Sequence, residues 1–155
     1  MKLDRRQVLK TTAALGAGAM LGGLRPGFAQ ANEIVIGASI PLTGVFAFAG
    51  IGINDGIQDY VKLINEGGGV AGRKVTYVFE DTGYKVDQSV AVFNKITGSH
   101  PVNFYYGDST GFSKTIAPEL ARKGTILMGG SSFGTELNDP VKYPLQFMAG
   151  PDFPR

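Results

Sequence analysis

The sequence predicts an α/β fold in which a parallel sheet is covered by helices on both faces. Apolar, β-branched runs alternate with stretches of helical periodicity, and 23 of the 155 residues are glycine. Hydrophobic residues make up 43 % of the chain and charged residues 18 %. Alternating strands and helices are typical of parallel sheets, and the many glycines indicate many tight turns. The composition is that of a globular protein.

The first predicted strand is residues 33–40, an apolar run that ends at Pro41, as expected of a buried parallel strand. A glycine-rich loop that carries Phe46 and Phe48 follows, and then a predicted helix. Its apolar positions recur at helical spacing and share one face: Ile53, Ile57, Tyr60, Val61 and Ile64. The same spacing turns a second set toward water: Asn54, Asp59, Lys62 and Asn65. We expect Gly67 to Gly69 to provide a left-handed exit from this helix.

Further strands are predicted over residues 73–81, 102–106, 125–130 and 143–150. Asp87 and Ser113 are the predicted N-caps of the next two helices, and Pro118 is expected to bend the second of them. Ligands of parallel sheets lie beyond the carboxyl ends of the strands. The loops expected to meet there follow Pro41 and Asp81 and include residues 107–113 and 130–135.

Residues 1–31 have the features of a cleaved export signal, which leaves residues 32–155 as the folded part. A basic start with paired Arg5 and Arg6 precedes an apolar stretch over residues 11–24. That stretch is shorter than the roughly 20 residues a membrane-spanning helix needs. The arginine pair resembles a twin-arginine signal, and general secretory export is the alternative. A small-residue pattern predicts cleavage near Ala31.

The net positive charge of the chain comes from this signal. Five of the 15 basic residues and one of the 13 acidic residues lie in residues 1–31, which leaves a net charge of −2 for the remainder. No basic cluster with interleaved aromatic residues follows residue 32, so nucleic acid is not an expected partner. The chain has no cysteine, and no histidine pair, acidic calcium loop or P-loop occurs. We therefore expect no metal and no cofactor.

One motif points to an enzyme. Residues 107–111 read G-x-S-x-G, the pattern of the nucleophile elbow in α/β-hydrolases, with Ser109 as the nucleophile. The catalytic histidine of that fold follows the serine in the chain, whereas His100 is the one histidine here and precedes Ser109. A secreted hydrolase is therefore the alternative hypothesis.

Non-covalent binding is the favoured hypothesis. Amides at the start of a helix after Gly107 can hold an anion such as a carboxylate. Hydroxyl groups near the ends of the third and fourth strands add donors and acceptors: Ser109, Thr110, Ser131 and Ser132. Phe46, Phe48 and Phe133 are candidates for an apolar wall. The predicted ligand-binding residues are thus Ser109, Thr110, Gly111, Ser131, Ser132, Phe133 and Phe48.

The order of four segments resembles the leucine/isoleucine/valine-binding family, the type I periplasmic substrate-binding proteins of ABC transporters. The segments are "IVIGASIPLTG", "INEGGGVAGRKVTYVFED", "YYGDST" and "ILMGGSS". This resemblance implies a non-enzymatic, periplasmic protein that delivers a small molecule to a membrane permease. A sensor subunit of the same fold is a further alternative.

The resemblance also implies roles for individual residues. The turn after the third strand, with Ser109, Thr110 and Gly111, would hold the α-carboxylate of the ligand. The turn after the fourth strand would bind its head group, and Phe133 stands where amino-acid binders tend to carry threonine. This difference permits an aromatic acid or an amide in place of an aliphatic amino acid. Since family members have two lobes and more than twice this length, residues 32–155 are expected to form the N-terminal lobe.

Overall fold

The computed structural model describes residues 33–130 and 134–153, which form a five-stranded sheet with three α-helices. The strands are β1 (Glu33–Ile40), β2 (Lys74–Asp81), β3 (Val102–Tyr106), β4 (Leu127–Gly130) and β5 (Gln146–Met148). The helices are α1 (Ala47–Glu66), α2 (Val86–Ser99) and α3 (Thr110–Lys123), and a short 3-10 turn spans Thr135–Asn138. The predicted fold class is confirmed, and the predicted first strand coincides with β1.

All neighbouring strands are parallel, and their order is β2-β1-β3-β4-β5. The chain therefore moves from β1 to one side, through α1 to β2. It then crosses back through α2 to β3 and continues on the other side of β1. This reversal makes the boundary between β1 and β3 the topological switch point of the sheet, and ligands of open α/β sheets bind at such points.

Helices α2 and α3 pack against one face of the sheet and form its main core. Eleven buried residues make up this core: Val35, Val92, Phe93, Ile96, Val102, Tyr105, Phe112, Ile116, Leu120, Ile126 and Met128. At its centre the ring of Phe93 meets that of Tyr105 edge-on at 4.8 Å, and Phe112 lies 6.1 Å from Tyr105. Because Phe112 belongs to the first turn of α3, the start of that helix is fixed by the core.

On the opposite face of the sheet α1 covers β1 and β2, and no other helix of residues 33–130 and 134–153 covers β3 to β5. Alternate strand residues point to this side. Between α1 and the sheet lies an open groove of about 650 Å³, here called the apolar groove. Its lining residues are Ile36, Gly52, Ile53, Gly56, Ile57, Tyr60, Val61, Ile64, Phe104, Tyr106 and Ala149. The apolar stripe predicted for α1 thus lines a partly open surface.

Three predictions about α1 are corrected by the structure. The helix starts at Ala47, so Phe48 lies in its first turn and not in a loop. Asn54 is buried, where it accepts a 3.0 Å hydrogen bond from the Tyr77 hydroxyl. Asn65 is half-buried and bonds both backbone groups of Val75 at 2.8 Å. Neighbouring β2 supplies these polar partners, and a buried amide is tolerated once it is hydrogen-bonded.

The predicted helix ends also shift. Lys85 is the N-cap residue of α2, and Asp87 lies inside its first turn. Ser109 caps α3, while the predicted cap Ser113 is fully buried one turn later. After α1, Gly68 and Gly69 have φ of +95° and +78°, whereas Gly67 has φ of −78°. Of the helices within the described ranges, none combines the length and apolarity needed to cross a membrane.

Candidate ligand-binding site

The candidate site lies at the switch point, where the loops after β1 and β3 leave the sheet in different directions. The start of α3 follows β3 directly, so the predicted strand-turn-helix geometry is present. Ser109 is extended, and its side-chain oxygen accepts a 3.2 Å hydrogen bond from the amide of Phe112. The amides of Thr110 and Gly111 occupy the first two helical positions, which have no carbonyl partner within the helix. They give the turn the capacity to hold an anion.

Thr110 connects this turn to the loop after β4. Its hydroxyl oxygen accepts a 2.9 Å hydrogen bond from the amide of Gly134. This hydrogen bond holds side by side the two loops that the sequence predicts to share a ligand. Ser131, Ser132 and Phe133 lie outside the described residues, and their roles remain predictions.

Three aromatic side chains form a second part of the site, here called the aromatic stack: Phe46, Phe48 and Tyr84. The ring of Phe46 lies 4.0 Å from that of Tyr84 and 6.0 Å from that of Phe48. Phe48 is 79 % exposed, and Phe46 is 40 % exposed. Tyr84 has a left-handed backbone with φ of 62°, which is uncommon for a bulky residue. Burial, and secondly the charge of Asp108, raise the pKa of the Tyr84 hydroxyl.

Asp81, the last residue of β2, holds the turns of the aromatic stack together. Its Oδ1 accepts hydrogen bonds from the amides of Leu42 (2.8 Å), Thr43 (3.1 Å) and Gly83 (3.0 Å). Its Oδ2 accepts one from the Thr43 hydroxyl at 2.6 Å. Burial alone would raise the pKa of Asp81, but the hydrogen bonds from Thr43, Gly83 and Leu42 outweigh it and lower that pKa. The loop after β1 and the loop after β2 thus form one unit.

We expect Asp81→Asn to lower the free energy of unfolding by about 1–3 kcal/mol at pH 7, since hydrogen bonds to a charged group are lost. The folded pKa of Asp81 is depressed, so its stabilisation is present above the unfolded pKa of about 4 and is lost as the pH falls through the folded pKa. Urea unfolding of both proteins between pH 3 and 7 measures this. The stability gap between them should close in acid.

Asp59→Asn is the matched control, because Asp59 is an exposed carboxylate on α1. Surface changes of this kind shift stability by about 0.5 kcal/mol or less. A gap between wild type and Asp81→Asn that stays constant from pH 7 to pH 3 would contradict the proposed origin of the stabilisation.

Sequence reasoning missed Asp108, Thr82 and Ser89, which lie beneath the site. Asp108 Oδ2 accepts hydrogen bonds from the hydroxyls of Thr82 at 2.5 Å and Ser89 at 2.8 Å. Thr82 and Ser89 are buried. The sequence does show an acidic residue shortly after a predicted strand. The partners of Asp108 come from two other segments of the chain, so the sequence alone does not reveal its contacts.

The geometry does not support the hydrolase alternative. His100 ends α2 and precedes β3, whereas Ser109 follows β3. The five residues of β3 separate them by roughly 16 Å at about 3.3 Å per residue. Among the described residues no group of three or more His, Cys, Asp or Glu side chains is placed to hold a metal ion.

Comparison with known proteins identifies the family of this chain. Residues 33–154 match the family model described as periplasmic binding protein. The chain belongs to the periplasmic binding protein family. Residues 2–22 of this periplasmic binding protein match the twin-arginine translocation signal. Family and signal together show export to the periplasm.

Relatives and solved structures agree with this family. The Leu/Ile/Val-binding protein homolog 3 of Brucella melitensis is 32 % identical over 114 residues, which cover 72 % of this chain and 31 % of the relative. A branched-chain amino acid ABC transporter structure from Thermus thermophilus with bound valine has a TM-score of 0.71 at 21 % identity. The match covers 78 % of this chain and 31 % of the Thermus thermophilus chain. This periplasmic binding protein thus spans about a third of the length of these proteins.

A third comparison involves a different ligand. The solute-binding protein of an ABC transporter from Rhodopseudomonas palustris BisB5, solved with 3,4-dihydroxybenzoic acid, has a TM-score of 0.67 at 21 % identity. The match covers 78 % of this periplasmic binding protein and 32 % of that chain. At this identity the similarity establishes the fold alone. The family and these neighbours are solute-binding proteins.

Proposed function

We propose that the whole protein is the periplasmic solute-binding component of an ABC transporter. Its ligand would be a branched-chain amino acid or a related small carboxylate or amide, and its partner a membrane permease. The family membership and the names of the relatives support this proposal. The observation that carries it is the start of α3 at the switch point, with two amides outside the hydrogen bonding of the helix.

The ligand carboxylate would bind the amides of Thr110 and Gly111, with the Ser109 hydroxyl as a further donor. The Oγ of Ser109 already accepts a bond from Phe112, but its proton is available to a ligand oxygen. The field of a helix N-terminus favours a negative charge at this position. The same proposal includes Ser131, Ser132 and Phe133, which the family resemblance predicts to bind the head group of the ligand.

The side chain of the ligand would pack against the aromatic stack. Phe48 is 79 % exposed, so its ring is accessible to a ligand, and aromatic rings can pack against both branched aliphatic groups and planar rings. Both ligand types named for the similar proteins, valine and 3,4-dihydroxybenzoic acid, therefore belong to the proposed range.

We further propose that residues 32–155 form the N-terminal lobe of a two-lobed protein. The support comes from the relatives, which are about three times as long as the matched segment, and from the apolar groove. Parallel sheets are almost always covered on both faces, so the groove is a suitable place for a helix of the longer polypeptide. A single lobe would provide about half of the ligand contacts. If the whole protein binds at ~1 µM, half of that free energy corresponds to mM affinity.

Replacing Thr110 by proline or by alanine tests the carboxylate site. We expect the chain purified from the periplasm to bind L-isoleucine, L-phenylalanine or 3,4-dihydroxybenzoic acid at mM concentration in an NMR titration. Thr110→Pro removes the amide N–H at the first helical position, where proline is tolerated, and extended Ser109 suits a following proline. Loss of one charge-assisted bond should weaken binding roughly tenfold or more.

Thr110→Ala is the matched control, because it also loses the hydroxyl contact with Gly134 but keeps the amide. Its affinity should stay well above that of Thr110→Pro. Equal affinities of the two variants would contradict carboxylate binding by this amide. No shift of any site resonance with up to tens of mM of all three probes would contradict ligand binding by this lobe.

A further inference from the structure

We propose that Asp108 is a positioning residue of the ligand-binding site, whose carboxylate holds the aromatic stack and the start of α3 in fixed relation. This inference rests on the proposed function, since it concerns how the two parts of that site are arranged. Asp108 directly precedes the N-cap residue Ser109. It therefore lies at the entry to the turn whose amides would bind the carboxylate.

The carboxylate joins the turn before α3 to residues that lie 26 and 19 positions earlier in the chain. Its Oδ2 receives one hydroxyl from Thr82, in the turn after β2, and another from Ser89, in the first turns of α2. The Thr82 hydroxyl donates to this oxygen, while the single hydroxyl proton of Ser89 is shared between Asp108 Oδ2 and the carbonyl of Lys85. Because Thr82 and Ser89 are almost completely buried, water cannot readily replace these contacts.

The connection continues from Thr82 to the aromatic stack. The Thr82 hydroxyl oxygen accepts a 3.3 Å hydrogen bond from the amide of Tyr84, and the ring of Tyr84 lies 4.0 Å from that of Phe46. The left-handed backbone of Tyr84 is a conformation that persists only where surrounding contacts hold it. Asp108, through Thr82, supplies such a contact.

The second oxygen of Asp108 also indicates a role beyond folding. Oδ1 is buried and accepts no hydrogen bond from any residue in the described ranges. A buried polar atom without a partner is unfavourable, so this oxygen carries a cost in stability. A carboxylate at this position is better explained by the geometry that it imposes on its neighbours.

Ser89→Ala and Ser99→Ala form a matched pair for the test. Both serines lie on α2 and bond the carbonyl four residues earlier, Lys85 at 3.0 Å and Lys95 at 2.8 Å. Ser89 additionally contacts Asp108. We expect Ser89→Ala, Thr82→Val and Asp108→Ala to shift the amide resonances of Tyr84, Thr110 and Gly111 in the NMR spectrum of the processed chain. Ser99→Ala should leave these resonances in place.

The same variants should weaken L-isoleucine binding roughly five- to tenfold, because the ligand must then order a turn that Asp108 no longer holds in place. Asp108→Asn, which keeps one acceptor oxygen, should recover part of that affinity. If Asp108→Ala does not fold, the two hydroxyl variants decide the question. Ser89→Ala and Thr82→Val spectra that match Ser99→Ala around Tyr84 and the α3 turn would overturn the proposal.

The resonance comparison does not depend on a ligand. If wild type binds none of the probes, the proposed function fails, while the shifts at Tyr84, Thr110 and Gly111 still decide whether Asp108 positions them. If wild type binds a probe but the Asp108, Thr82 and Ser89 variants leave the resonances of Tyr84, Thr110 and Gly111 in place, the positioning role fails and the proposed function stands.

Discussion

Gly50→Ala should lower the free energy of unfolding by about 3 kcal/mol, at the upper end of the usual cost of overpacking. Gly50 is buried in α1, where the helix passes over the end of β1. A Cβ atom at this position would lie 2.0 Å from the carbonyl oxygen of Pro41 and 2.7 Å from its carbonyl carbon. Backbone atoms cannot rotate away, so α1 would have to move off the sheet.

Gly52→Ala, two residues later in the same helix, is the control. A Cβ atom there has no neighbour within 4 Å, and alanine is preferred over glycine in a helix by about 0.5–1 kcal/mol. We expect this variant to be slightly more stable than wild type in urea unfolding. Equal destabilisation by both changes would contradict the close contact between α1 and Pro41.

Phe112→Ala should have the second large effect, a loss of about 3–5 kcal/mol. Phe112 is fully buried and packs its ring among those of Phe93 and Tyr105. Because it lies in the first turn of α3, the cavity would also loosen the turn that carries Thr110 and Gly111. Thermal unfolding followed by circular dichroism measures the change in stability.

Phe48→Ala gives the opposite pattern. Phe48 is 79 % exposed, so stability should change by about 0.5 kcal/mol or less. Its proposed ligand contact would still be lost, and L-phenylalanine should bind more weakly. If the variant loses stability but keeps its affinity for L-phenylalanine, Phe48 stabilises the fold and does not contact the ligand.

Local patterns predicted the number and order of the strands, but β4 and β5 are shorter than the predicted ranges 125–130 and 143–150, and the helix starts were predicted less well. β1 was predicted with its observed bounds because an apolar run that ends in proline carries its own limits. The start of α3 was placed four residues late, because both Ser109 and Ser113 are good caps by residue type. The difference is tertiary: Phe112 must enter the core, and this brings Ser113 inside with it.

The candidate site shows the same division. The sequence predicts a turn after β3 that contains Ser109, Thr110 and Gly111, but it does not predict that Thr110 and Gly111 form the first turn of α3. Asp108 and Tyr84 were missed because their significance depends on contacts between segments more than twenty residues apart. Asn54 was assigned to the water-facing side for a related reason, since its partner Tyr77 lies on another element.

The hydrogen bonds of Asp81 have a consequence for the thermodynamics of binding. Flexible loops lose conformational entropy when a ligand orders them, and this loss opposes affinity. The turns that carry Phe46 and Tyr84 are already joined by the bonds from Leu42, Thr43 and Gly83 to one carboxylate. These turns therefore lose much of their conformational entropy when the protein folds. Ligand binding has to order them less, and its free energy is more favourable by that amount.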